Sequence, residues 1–180
     1  MINECFYITG RGGSIHEGLG SFLESRSHLV SGIALSPQFL QKPFEEQLAA
    51  IQSHFIRIER NRIPVIANSY GAYLLLNSLI GLPALQASVL ILSPVVGTLV
   101  SALGYFKPPY ANRIPAALND GTLHKPARFD ICCGSLDNQC DLVALETVAK
   151  TLNADRYSIL EGQGHMIEKH LVAHAVDAFL

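Results

Sequence analysis

Two rhythms of apolar residues alternate along this chain, and the alternation limits what it can fold into. Short unbroken apolar runs stand at Cys5–Thr9, Leu29–Leu35, Ile63–Ala67, Ser88–Ser93, Arg128–Cys133 and Tyr157–Leu160. They lack the in-out pattern of a half-exposed strand, so each reads as a strand covered on both faces. Between them the spacing turns helical. Phe44, Leu48, Ile51, Phe55 and Ile58 fall three and four apart, which predicts one helix with Pro43 in its first turn and Arg57 and Arg60 in its last. Further helices are expected at Tyr70–Ile80, stopped by Gly81 and Pro83, and at Leu142–Leu152 and Ile167–Leu180. Strands and helices in alternation imply an α/β fold with a mainly parallel sheet of about six strands. In such sheets chemistry gathers at the loops leaving the carboxyl ends of the strands.

Composition narrows the function. With 180 residues, 49% of them apolar, the chain suits a single domain over 1–180 with a core large enough to need no staples. Thirteen basic against 15 acidic residues give no electrostatic case for nucleic acid. No run approaches the ~20 apolar residues of a membrane span. The first residues lack the basic and apolar regions of a signal peptide, and Cys5, Cys132, Cys133 and Cys140 are too few and too irregular for a disulfide framework. A reducing compartment, the cytoplasm, is expected. The least regular stretch, 97–127, includes Tyr105-Phe106-Lys107-Pro108-Pro109-Tyr110. It reads either as a small cover over one end of the sheet or as an ordinary connection with a short helix.

Three segments carry chemistry. In Ile63-Pro64-Val65-Ile66-Ala67-Asn68-Ser69-Tyr70-Gly71-Ala72-Tyr73-Leu74 a strand runs straight into a helix with Ser69 at the turn. A turn this tight strains the backbone of its central residue, lifts the hydroxyl clear of the sheet, and requires small neighbours two before and two after, here Ala67 and Gly71. Serine at that place can also be a helix cap. A serine becomes nucleophilic only if a base takes its proton and an acid holds the base. Asp137 follows one strand in Gly134-Ser135-Leu136-Asp137, and His165 follows the next in Glu161-Gly162-Gln163-Gly164-His165. All three loops leave the same edge of a parallel sheet.

With these segments on view, the chain resembles a minimal α/β-hydrolase, close in layout to small lid-less lipases and esterases. The matched segments are Ile8-Thr9-Gly10-Arg11-Gly12-Gly13, similar to the family's oxyanion loop, Ala67-Asn68-Ser69-Tyr70-Gly71, similar to its nucleophile elbow, and the acid and histidine loops. The family often has histidine where Thr9 stands and glycine where Ala67 stands. The resemblance implies a three-layer α/β/α sandwich and a serine hydrolase acting on a small ester or thioester, short acyl chains favoured, without a cofactor. It implies Ser69 as nucleophile, His165 as base, Asp137 as its partner, and the backbone N–H groups of Arg11 and Tyr70 as oxyanion donors. Such an enzyme gains activity as pH rises and its imidazole loses a proton. Two other functions fit the same features: amide or peptide cleavage by the same residues, and a non-catalytic interaction module that has kept the fold.

Rival residues have duller explanations. Asp130 lies inside a strand and Asp141 at a helix start, where it caps. His170 and His174 have metal-ligand spacing yet share a polar helix face with Asp177; His28 and His54 are poorly placed for the active edge, and His16, after the glycine loop, borders the pocket with no chemistry assigned to it. The loop at Gly10–Gly13 lacks the Lys-Ser/Thr ending of a phosphate loop, and Ile15 stands where a dinucleotide fingerprint needs glycine. Cys133, at a strand end near Asp137, is either a reactive thiol or a small buried hydrophobe.

Overall fold

A computed structural model describes residues 3–26, 28–101 and 104–180. Six strands form one sheet: β1 (Asn3–Arg11), β2 (His28–Leu35), β3 (Val65–Asn68), β4 (Ser88–Leu92), β7 (Arg128–Gly134) and β8 (Arg156–Leu160). Their order is β2-β1-β3-β4-β7-β8, and every neighbouring pair is parallel. A small antiparallel hairpin of β5 (Leu99–Ser101) and β6 (Gly104–Phe106) follows β4. It falls in the stretch that reads either as a small cover or as an ordinary connection; residues 102 and 103 of that stretch lie outside the described residues.

Strand pleating sorts the core into two halves, because successive side chains point to opposite faces. Phe6, Ile8, Val65, Ala67, Val89, Ile91, Phe129, Ile131 and Cys133 face one layer of helices. That layer holds α2 (Pro37–Leu40), α3 (Phe44–Gln52), α4 (Phe55–Asn61), α5 (Tyr70–Leu79), α6 (Arg113–Asn119) and α7 (Leu142–Thr151). Cys5, Tyr7, Ile66, Leu90, Leu92 and Cys132 face the other, where α1 (Leu19–Ser25) contributes Leu23 and α8 (Lys169–Phe179) contributes Val176 and Phe179. The result is a three-layer α/β/α sandwich. α5 is buried along its whole length, so it forms the centre of its layer. α6 also belongs to the core, through Ile114, Ala117 and Leu118.

Three local expectations are corrected. The helix predicted across 44–58 is two helices, broken at Ser53–His54. Ser53 Oγ donates to the Ala50 carbonyl at 2.7 Å, and the His54 N–H reaches Ile51 O, three residues back instead of four. This tightened turn bends the axis while Ile51, Phe55 and Ile58 stay in one cluster. Pro43 precedes α3 as its N-cap instead of sitting in its first turn. The runs at β2 and β8 are covered less than their apolar patterns imply, because both are edge strands: Leu29, Tyr157 and Ile159 are exposed.

The direction of the connections reverses between β1 and β3, since β2 lies on one side of β1 and all later strands of the sheet lie on the other. The crevice at such a switch point is where α/β sheets hold ligands. Its two walls are the ends of β1, carrying Gly10 and Arg11, and of β3, carrying Ser69.

Candidate active site

Ser69 links β3 to α5 with φ 53° and ψ −122°, a conformation that side-chain-bearing residues rarely adopt. The surrounding backbone holds it there. Its N–H donates to Leu92 O at 2.9 Å, and its carbonyl accepts from the N–H groups of Ala72, Tyr73 and Val95 at 3.1, 3.3 and 3.3 Å. Two residues on, Gly71 lies against β1, where an added Cβ would come within 2.3 Å of Thr9 O and 2.8 Å of Ile8 O. Glycine is therefore dictated by contact with the neighbouring strand. Ser69 makes no capping bond to the helix it precedes, so its hydroxyl is free for another partner.

That partner is an imidazole. Ser69 Oγ lies 2.8 Å from His165 Nε2, and His165 Nδ1 lies 2.9 and 3.0 Å from the two carboxylate oxygens of Asp137. A carboxylate only accepts, so Nδ1 carries the ring proton and Nε2 is left to accept from the Ser69 hydroxyl. The Asp137 side chain is fully buried, while 12% of the His165 side chain reaches solvent. Burial of this kind is tolerable because the carboxylate is satisfied: Oδ1 also accepts from the Gln139 N–H at 2.8 Å, and the Cys133 thiol donates to Oδ2 at 3.6 Å. Contact with the Cys140 thiol, then burial, then the Asp137 charge push the Cys133 thiol well above its ordinary pKa, so it stays protonated and able to donate.

The acid and histidine loops are locked together by bonds that main-chain N–H groups donate. Ser135 N–H donates to Leu160 O at 2.9 Å, Leu136 N–H to Gln163 O at 2.8 Å, and Gly162 N–H to Ser135 Oγ at 2.9 Å. Gly134 permits this approach, since a Cβ there would lie 2.2 Å from Gln163 O. The distance between imidazole and carboxylate is thus set by main chain, which is stiffer than two side chains meeting freely.

On the other side of Ser69 is the glycine loop. A Cβ on Gly10 would stand 3.7 Å from Ser69 Oγ, so the loop passes directly beside the hydroxyl. Thr9, fully buried, braces it: its hydroxyl accepts from Leu35 N–H at 2.9 Å and donates to Gly10 O at 2.8 Å. Gly12 N–H adds a bond to Leu35 O at 2.9 Å. The next side chain, Arg11, lies with its guanidinium carbon 4.1 Å above the centre of the Tyr70 ring, which stacks in turn on Tyr73 at 5.6 Å. Burial raises the Tyr70 phenol above its usual pKa, with the Arg11 charge pulling against it. As the first residue of α5, Tyr70 has an N–H with no acceptor one turn back inside the helix.

Five of the rival residues are occupied elsewhere. Asp130 pairs with Arg128 at 2.6 Å, and Asp141 caps α7 through the N–H groups of Val143 and Ala144. His16 pairs with Glu24 at 2.8 Å, His54 packs on Phe6, and His170 lies beside Glu168. The contributions of Thr9 and of the Gln139 N–H are absent from the sequence reading. Thr9 has a faint signal, a polar residue ending an apolar run; a backbone N–H leaves none.

No protein-family model matches this sequence, and no curated protein matches it. Solved structures do. The crystal structure of esterase PE8 superimposes with a TM-score of 0.64 at 16% identity, covering 99% of this chain and 93% of that one. The fold is that of the α/β-hydrolases. Est1E from Butyrivibrio proteoclasticus matches this chain with a TM-score of 0.65 at 15% identity, over 98% of this chain and 86% of that one. An uncharacterised protein from Bacillus cereus ATCC 10987 matches at 0.59 and 13% identity over 98% of this chain, which spans only 60% of that protein's length. Among the described residues no helix of this α/β-hydrolase fold is long and apolar enough to cross a membrane.

Proposed function

We propose that the chain is a serine hydrolase that cleaves a carboxylic ester or thioester through an acyl-enzyme. The observation that carries this reading is the unbroken hydrogen-bond chain from Ser69 through His165 to the buried Asp137, ending on a strained residue at the switch point of the sheet. Ser69 Oγ attacks the carbonyl carbon as its proton passes to His165 Nε2, and Asp137 stabilises the imidazolium that forms. The carbonyl oxygen becomes an oxyanion beside the N–H groups of Tyr70 and Arg11. One such donor lowers the barrier by about 3 kcal/mol. Collapse expels the alcohol or thiol, which takes the proton from His165. Water then attacks the acyl group with the same base and releases the acid.

Short acyl groups are favoured because the connection at 97–127 commits α6 to the core and leaves little chain to cover a long one. The four cysteines are free and buried, in keeping with a reducing compartment such as the cytoplasm. A fluorophosphonate probe is expected to label Ser69 in the folded protein and to leave Ser69→Ala unlabelled. Folded wild type that stays unlabelled would overturn the proposal. A screen of p-nitrophenyl esters of graded acyl length then reads the acyl preference.

A further inference from the structure

We propose that the acyl part of the substrate carries a carboxylate, held by the guanidinium of Arg11; this rests on the hydrolase reading above and names its substrate class. Among the described residues Arg26, Arg57, Arg113 and Arg128 each meet a carboxylate, and Arg11, Arg60, Arg62 and Arg156 meet none. Arg60 and Arg62 close α4 just before β3 begins, and Arg156 opens β8, so these three stand at the amino ends of the strands, away from the crevice. Arg11 alone among them ends a strand at the active edge, one residue after the Gly10 that lies against Ser69.

Its side chain is exposed yet held in place. The guanidinium lies over Tyr70, and Tyr70 is itself buried and stacked on Tyr73. The ring covers one side of the guanidinium, and among the described residues no carboxylate meets its fork of N–H donors, the group that matches a carboxylate. An arginine already fixed on a ring loses little freedom when an anion docks, so the interaction favours binding more than a free surface cation would.

The sheet order says which part of the substrate carries the charge. The leaving group must receive its proton from His165, which lies on the β7–β8 side of Ser69. Arg11 ends β1, on the opposite side of β3. The cation therefore stands across the nucleophile from the leaving group, on the side open to the acyl chain.

The test compares p-nitrophenyl monoadipate with p-nitrophenyl hexanoate, equal in chain length and differing in the terminal carboxylate. Wild type should prefer the anionic ester by about tenfold in kcat/KM, mostly through KM, and the preference should shrink with added salt. Arg11→Gln, which keeps the backbone N–H, should abolish the preference, and Arg11→Lys should restore part of it. In a binding arm free of chemistry, Ser69→Ala should bind monomethyl adipate more tightly than methyl hexanoate, an advantage lost when Arg11→Gln is added. An unchanged preference in Arg11→Gln, or none in wild type that still labels at Ser69, overturns the anion site and leaves the hydrolase reading standing. Absent labelling overturns the hydrolase reading, and equal binding of the two esters to Ser69→Ala overturns the anion site without reference to catalysis.

Discussion

Replacing Gly71 by alanine tests whether the elbow is shaped by its neighbour strand. The added carbon would lie 2.3 Å from Thr9 O, 2.8 Å from Ile8 O and 2.9 Å from Ile8 Cγ2. Comfortable contact needs about 3.5 Å, so strand or helix must give way by about 1 Å. Two of the three obstructing atoms are main chain of β1, which is paired to β2 on one side and β3 on the other and cannot shift alone. Overpacking of that kind costs about 3 kcal/mol, and alanine's better helix propensity returns about 1 kcal/mol. The net loss of about 2 kcal/mol corresponds to a fall in Tm of about 4–8 °C for a chain of this size. The same displacement moves the Thr9–Gly10 segment relative to Ser69, and misplacement by about 1 Å slows catalysis on the order of a hundredfold. Thermal melts and the rate of fluorophosphonate labelling read both effects. Gly164→Ala is the control, because its nearest neighbour is Leu136 O at 4.0 Å, and its stability should change by less than about 0.5 kcal/mol. A Gly71→Ala protein that melts with wild type and labels at the same rate would refute the contact argument.

Two further perturbations probe the charges that hold the fold. Arg128 bonds the buried Asp130 at 2.6 Å and the Phe179 carbonyl at the end of α8 at 2.8 Å. Arg128→Met should cost about 3 kcal/mol in urea unfolding by leaving a buried carboxylate unpaired, and adding Asp130→Asn should recover most of it; no recovery would mean that the charge is not the cause. The Lys125 ammonium, then the Phe129 N–H, hold the Asp155 carboxyl below its ordinary pKa. A depressed folded-state pKa contributes stability that is present above the unfolded value of about 3.9 and lost as pH falls through the lower folded value. Asp155→Asn should therefore melt below wild type near neutrality, with the gap closing toward pH ~2; a gap that persists in acid refutes the linkage.

The central strands were legible because burial on both faces demands unbroken apolar runs, and β1, β3, β4 and β7 meet that demand. β8 resembles them in sequence and lies at the rim, a distinction that only neighbours decide. α1 was invisible because Gly18 and Gly20 read as loop, yet Gly20 is there because a Cβ would lie 2.1 Å from Ile15 O. The break at Ser53 had no local breaker residue to announce it. Ser69, Asp137 and His165 stood out because each follows a strand, and the structure places them within hydrogen-bonding reach. The supports beneath them were hidden. Gln139 acts through its main chain, and the thiol of Cys133 becomes a donor to Asp137 only when the next loop folds over it.

The lock between the two loops ties the imidazole to the outermost strand, where Tyr157 and Ile159 face water and, among the described residues, no further strand lies beyond. Rims of sheets open sooner than their middles. On mild warming His165 would detach while Ser69, seated on the central strands, stayed in place. Catalytic output would then fade before any global melting signal appeared, so residual turnover would be a finer thermometer of this molecule than its circular dichroism.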